Sequence, residues 1–160
     1  MNNIRNVASR GHEAPANVRK IAVVVSVWHT RVSAGLLISA TKILEAENCE
    51  FRVFHSPSAF DIPLIVQEIL ERSWDGVVVL SSIIQGSTDH YQHVSASVST
   101  RLGVIALQTH KPVGYGILTV SNEAEALDRA GLPNSKEDRG REAAEWVLRS
   151  LDVLDEVRSS

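Results

Sequence analysis

The chain has 160 residues, 44% hydrophobic and 22% charged, with a net charge of −3. That is enough chain for one globular domain with a sizeable core, and the slight acidity argues against nucleic acid or an anionic membrane as partner. Cys49 is the only cysteine, so no internal disulfide is expected, and a reducing, cytoplasmic setting fits.

Met1 to Val18 is polar, mixed in charge and without periodicity, and reads as a flexible N-terminal arm before a single domain over residues 19–157. It has no apolar core like that of a signal peptide, and no apolar run in the chain is long enough to span a bilayer. Lys20 to Val27 is a β-branched apolar run, the mark of a strand buried on both faces. It ends in Trp28-His29-Thr30, after which Val32, Leu36, Leu37, Ala40, Ile43 and Leu44 recur at helical spacing, predicting a helix from near Arg31 to near Asn48. Phe51 to Val53 predicts a short strand, which Ser56-Pro57-Ser58-Ala59-Phe60-Asp61 breaks. Ile62 to Arg72 returns to helical spacing, with Pro63 in its first turn.

Gly76 to Leu80 predicts a third buried strand, and Tyr91, Val94, Val98 and Leu102 a helix behind it. Gly103 to Leu107 reads as a fourth strand, His110-Lys111-Pro112 as a turn, and Val113 to Thr119 as another extended run. Asn122 is placed to cap a short helix over Glu123 to Ala130, and Glu137 to about Val157 predicts a last amphipathic helix. Strands alternate with helices throughout. The expected fold is α/β, a three-layer αβα sandwich: a flavodoxin-like parallel sheet with helices on both faces. In such sheets ligands bind beyond the carboxyl ends of the strands.

The stretch Ile83 to His90 lies at such an end, between a strand and a helix. Gly86 lets a ligand approach the backbone closely. Ser87 and Thr88 bring hydroxyls and N–H groups to a helix N-terminus, where anions bind well. His90 follows one turn into the helix. Neither G-x-G-x-x-G after the first strand nor G-x-x-x-x-G-K-[ST] occurs, and Trp28-His29-Thr30 is not a flavin phosphate loop. His90 and His93 lie three apart, but without a further spaced ligand they predict no metal site. Trp28 is as suited to stacking on a ligand as to filling space, and Arg129 reads most simply as a solvated surface charge.

Five blocks, in order, resemble those of the 6,7-dimethyl-8-ribityllumazine synthase family. Ser56 to Leu64 resembles "VPGAFEIPL", and Ile83 to Val94 resembles "VIRGxTxHxxxV". Pro112 to Thr119 resembles "PVxFGVLT", Glu125 to Gly131 "EQAxxRAG", and Arg139 to Ala144 "NKGxEAA". The resemblance implies condensation of 5-amino-6-(D-ribitylamino)uracil with 3,4-dihydroxy-2-butanone 4-phosphate in riboflavin synthesis, without metal or organic cofactor. It implies that Trp28 stacks on the pyrimidine ring, that Ala59, Phe60 and Asp61 contact the ring and ribityl chain, and that Ser82, Ile83 and Ile84 line the heterocycle. It further implies that Gly86, Ser87 and Thr88 hold the phosphate with Arg129, that His90 shuttles the proton, and that Tyr115 closes the site of an adjacent subunit.

Several positions depart from the family pattern. Ser58 stands for a glycine, so its backbone must avoid positive φ. Asp61 stands for a glutamate and Gln85 for an arginine. Trp28-His29 replaces a common Phe-Asn pair, as in one bacterial branch, and Arg139, or less well Lys136, stands for a late lysine. These departures leave a second reading, a weakly active or non-catalytic lumazine- or riboflavin-binding paralogue on the same scaffold. The family's basic unit is a pentamer, which some members pack into a hollow shell. Shell-forming members have a compact "RAGxKAGNKG" link where Arg129 to Gly140 is two residues longer. The added charges at Lys136, Glu137 and Asp138 are expected to stand unpaired where rings would pack, leaving a pentamer or a decamer of two rings.

Overall fold

The computed structural model describes residues 18–160; the N-terminal arm expected over residues 1–18 therefore lies, but for Val18, outside the described residues. Four parallel strands form one sheet in the order β2-β1-β3-β4, with β1 at Lys20–Ser26, β2 at Glu50–Ser56, β3 at Gly76–Ile84 and β4 at Val113–Val120. The helices are α1 (Thr30–Ala46), α2 (Ile62–Leu70), α3 (His90–Thr109), α4 (Glu123–Leu127) and α5 (Arg139–Ser159).

Successive residues of a strand point to opposite faces, and in β1 both faces are covered. Ile21, Val23 and Val25 join a core built with Val32, Leu36, Ala40 and Leu44 of α1 and Ala143, Ala144, Val147, Leu148 and Leu151 of α5. Ala22 and Val24 join the opposite core, with Ile62, Val66 and Ile69 of α2 and Val94, Val98, Leu102 and Ile105 of α3. This double burial is why the strand carries no polar alternation, and it gives the expected αβα layers. The α1–α5 contact is close: a Cβ on Gly140 would lie 2.2 Å from the Leu36 carbonyl oxygen, so only glycine lets the start of α5 rest on α1.

Two expectations change the most. Gly103 to Leu107 is not a strand but the last third of α3, which runs unbroken over 20 residues. Its β-branched residues favour a strand locally, yet the buried positions Val94, Val98, Leu102 and Ile105 keep a spacing of three and four, and packing against α2 decides. Val104 and Leu107, 45% and 77% exposed, show that the apolar run is not a buried strand. Conversely, β3 continues past Leu80 to Ile84, because Ser81 to Ile84 stay in register with Ile117 to Val120 of β4. The residues expected to line a heterocycle are thus on a strand, with a rigid ladder beneath them.

Candidate active site

At the carboxyl ends of β1, β2 and β3 the connecting turns enclose a cleft of about 510 Å³. After β1 the chain reverses sharply at His29, whose backbone is left-handed (φ 52°, ψ 60°). For a histidine this conformation is uncommon, and such positions concentrate at functional turns. It swings Trp28 out over the cleft, where the residue is 62% exposed. The ring is nevertheless fixed: its Nε1 donates to the Pro57 carbonyl at 2.7 Å, and the Trp28 carbonyl accepts from Ser33 Oγ at 2.7 Å. An exposed indole held at its polar edge leaves a ring face open to a flat partner.

The turn after β2 is tied by hydroxyls. Ser56 Oγ donates to the Ser58 carbonyl at 2.7 Å, and Ser58 Oγ donates to Asp61 Oδ2 at 2.6 Å. The serine that stands for a glycine and the aspartate that stands for a glutamate therefore hold each other. Ser58 avoids positive φ as expected, since among the described residues only His29, Asn48, His110 and Gly131 have it. Ala59 and Phe60 face the cleft, and Asp61 is not part of its lining.

From β3, Ser82, Ile83 and Ile84 line the cleft floor. The neighbouring Ser81 Oγ donates to Ser26 Oγ at 2.9 Å inside the core, whereas the buried Ser82 Oγ has no partner. A buried hydroxyl without a partner is costly. Gly86, Thr88 and His90, from the turn that follows β3, line the cleft as well. A Cβ on Gly86 would meet nothing within 4 Å, and its φ is not positive. Nothing inside the chain calls for glycine there. Asp89 gives α3 no side-chain cap, leaving the first N–H groups of the helix open to an anion. His90 is the first residue of α3 rather than one turn in, exposed at the edge of the cleft.

Trp28, His29, Ala59, Phe60, Ser82, Ile83, Ile84, Gly86, Thr88 and His90 are thus brought together in one chain. Ser87 lies between two lining residues without lining the cleft itself. Tyr115 does not reach it. Its Cα is in register with Val79, well down the sheet, and its hydroxyl shares a 2.6 Å hydrogen bond with Ser99 Oγ of α3. Arg129 and Arg139 are also absent from the lining. Arg129 donates from NH1 to the Glu125 carbonyl at 2.8 Å, and Arg139 is bound to Glu137 and Glu142. The cleft also takes in Ser26, Ser58, Ser81, Tyr91 and Val94. Ser26 and Ser81 had a legible signal, as the first hydroxyls to follow the apolar runs of β1 and β3. Among the described residues no three His, Cys, Asp or Glu side chains are grouped to hold a metal ion, and no helix is long and apolar enough to cross a membrane.

The link from Arg129 to Gly140 is an ordered hairpin, with an antiparallel bridge between Ala130 and Asp138. Its charges are not unpaired, contrary to expectation. Lys136 pairs with Asp128, Glu137 with Arg139, and Asp138 caps α5 by accepting from the Arg141 N–H at 3.0 Å.

Comparison with known proteins decides the family. The model for 6,7-dimethyl-8-ribityllumazine synthase matches residues 18–155. The chain belongs to the 6,7-dimethyl-8-ribityllumazine synthase family. It is 41% identical over 140 residues to the lumazine synthase of Clavibacter sepedonicus, covering 88% of each chain. It is 42% identical over 141 residues to that of Mycobacterium leprae, again covering 88% of each, and 40% identical over 139 residues to that of Leifsonia xyli subsp. xyli, covering 87% of this chain and 88% of the relative. Each alignment takes in most of both chains, so the lumazine synthase likeness extends over nearly the whole domain and not over the site segments alone.

Proposed function

We propose that the cleft is one half of a lumazine synthase site, completed by a second copy of the chain. As a member of this family the chain is a transferase of riboflavin biosynthesis. It condenses 5-amino-6-(D-ribitylamino)uracil with 3,4-dihydroxy-2-butanone 4-phosphate to 6,7-dimethyl-8-ribityllumazine, releasing phosphate and water. The observation that carries the shared site is the division of residues: the plate Trp28, the open turn and His90 meet in one chain, and Tyr115 and Arg129 do not join them.

The pyrimidine stacks on Trp28 and rests against Ser82, Ile83 and Ile84, whose strand sets its depth. Ala59 and Phe60 meet the ring edge and ribityl chain, and Asp61, already bonded to Ser58, keeps that turn in shape. The butanone phosphate dianion sits at Gly86, Ser87 and Thr88 against the free N–H groups at the start of α3, with Arg129 of a neighbouring copy as a planar fork of donors. The pyrimidine amine attacks the ketone, water leaves, and an imine forms. His90 takes a proton from the hydroxyl-bearing carbon next to the imine as phosphate departs from the following carbon, leaving an enol. It returns the proton to that terminal carbon, converting the enol to a ketone, which the ribityl-bearing nitrogen attacks with loss of water. Imidazole serves as base and acid near neutrality, and holding the two substrates together supplies much of the rate. No step in this sequence calls for a metal or organic cofactor. A lone, half-buried Cys49 thiol suits the cytoplasm.

The test is complementation between two damaged subunits. His90→Ala keeps an intact Arg129, and Arg129→Ala keeps an intact His90. In rings assembled from an equal mixture, about a quarter of the interfaces unite an intact cleft with an intact arginine. Activity well above either parent is expected from the mixture. No recovery in rings verified to be mixed contradicts a shared site. The charges of the α4–α5 link are paired, but its two extra residues change the corner before α5. On that ground the assembly expected is a pentamer or a pair of pentamers, read by native light scattering. A particle near a megadalton would instead be a shell, and the ordered, self-paired link would then be compatible with shell packing.

Gly86→Ala separates ligand approach from fold. The added methyl meets open space in the chain, so the melting temperature is expected to stay within about a degree or two of the parent. The KM of the phosphorylated substrate is expected to rise severalfold. A large melting shift, or an unchanged KM, contradicts the role given to that glycine.

A further inference from the structure

The two arginines that the family pattern associates with the site, Arg129 and Arg139, are not equivalent. They lie side by side, because the hairpin of the α4–α5 link pairs their backbones: the Arg139 N–H donates to the Arg129 carbonyl at 3.1 Å, and the Glu137 N–H to the Asp128 carbonyl at 2.9 Å. Gly131 makes the reversal possible with a φ of 68°, and a Cβ there would lie 2.5 Å from Asp138 Oδ1. Around this frame run two carboxylates. Arg139 spends its donors on them: Nε and NH2 on Glu137 Oε2 at 2.8 and 2.7 Å, and NH1 on Glu142 Oε2 at 2.9 Å.

Arg129 is held differently. Its NH1 donates to the Glu125 carbonyl at 2.8 Å, and its Nε lies 3.9 Å from the same Glu137 oxygen. Its NH2 has no protein partner among the described residues. One guanidinium is thus neutralised and locked by two carboxylates, and the other is steered on one edge and left with open donors on the other. A guanidinium reserved for an anion needs this arrangement, since a fork that is already satisfied has nothing to offer a phosphate.

We propose that Glu137 is a positioning residue for Arg129, and that Arg139 acts by holding Glu137 rather than by touching the substrate. This rests on the reading of Arg129 as the phosphate ligand. The series Glu142–Arg139–Glu137–Arg129 sets a loose ion pair against the arginine's Nε while the Glu125 carbonyl holds NH1, and in this reading the remaining donors are the ones offered to the cleft of the neighbouring copy. The carboxylate of Glu137 draws both guanidiniums to one oxygen. All four side chains are between 30% and 40% exposed, so the pairs contribute little to folding stability. Their effect is on direction: a fork misplaced by about 1 Å loses much of its value to the transition state.

The test is a set of steady-state measurements with both substrates varied in turn. Glu137→Gln keeps the shape of the side chain and removes its charge. It is expected to raise the KM of the phosphorylated substrate about three- to tenfold, within the range of couplings between neighbouring residues, while the KM of the pyrimidine and kcat stay within about twofold. Arg139→Ala is expected to give the same pattern. In the Arg129→Ala background neither change should raise that KM further, because the residue being positioned is gone; a merely structural role would persist there. Three results overturn the proposal: an unchanged KM in Glu137→Gln, a lowered KM showing that the carboxylate competes with phosphate, or losses that add to that of Arg129→Ala. Arg129→Ala measured alone reports on the underlying reading separately. If it leaves the KM of the phosphorylated substrate unchanged, the phosphate role of Arg129 falls, and the positioning role with it.

Discussion

Replacing His90 by Ala lowers kcat for lumazine formation by roughly one to three orders of magnitude, overlapping the lower part of the about two to four orders that a positioned general acid–base group typically contributes. His90 is the residue to lose because in the proposed mechanism it stands where the two substrate halves meet: it is at the start of α3, beside the open N–H groups that suit a phosphate, and lines the same cleft as Trp28. The variant is expected to fold and assemble normally, since the side chain is exposed and takes no part in either core. Binding of inorganic phosphate should change little, because the turn at Gly86 to Thr88 and the helix N-terminus remain. The pyrimidine KM should change little as well, because the plate and floor proposed for it come from the turn after β1 and from β3. An unchanged kcat would remove the histidine from the mechanism. A variant that loses phosphate and pyrimidine together would have lost the site's shape, and the comparison with His90→Gln would expose that.

Arg129→Ala is expected to raise the KM of the phosphorylated substrate about ten- to a hundredfold, the worth of a charge-assisted hydrogen bond to a dianion. The pyrimidine KM is expected to stay near the parent value. The physical reason is the protein's slight acidity: with a net charge of −3 there is no overall field to gather anions, so loss of one local guanidinium is not made up elsewhere. Lys at this position recovers part of the loss as a point charge, but not the planar fork. Isothermal titration with each substrate analogue separates the two affinities, and equal losses for both ligands would contradict the assignment.

The sheet and its cleft were legible in the sequence for a simple reason. A strand buried on both faces has no room for polar residues, so the apolar runs of β1 and β3 stand out, and the first turns after them are the ligand-facing ends of a parallel sheet. That position put Gly86 and His90 at the cleft, and the roles expected of them come from the family resemblance. Trp28 could be placed at the cleft but not oriented, because the bond that turns it into a fixed plate goes to the Pro57 carbonyl, 29 residues away in sequence. The C-terminal third of α3 looks like a strand in the sequence because β-branched Val104 and Ile105 carry a local strand preference that packing against α2 overrides. Reading the charges of the α4–α5 link as unpaired failed for a related reason. Sequence shows that Lys136, Glu137 and Asp138 are present, but only the hairpin brings Asp128, Arg139 and the N-terminus of α5 within their reach. The separation of Tyr115 and Arg129 from the cleft of their own chain is a matter of topology, and the family resemblance anticipated it for Tyr115 only.

The catalytic claim stands or falls on one assay. The purified chain is mixed with 5-amino-6-(D-ribitylamino)uracil and 3,4-dihydroxy-2-butanone 4-phosphate, with chelator present and no cofactor added, and the fluorescent lumazine is followed with time. Product at a rate well above the uncatalysed condensation is the expected result. A rate equal to the background, in a protein that still binds the lumazine or riboflavin, would contradict the assignment and make the chain a binding protein on a synthase scaffold.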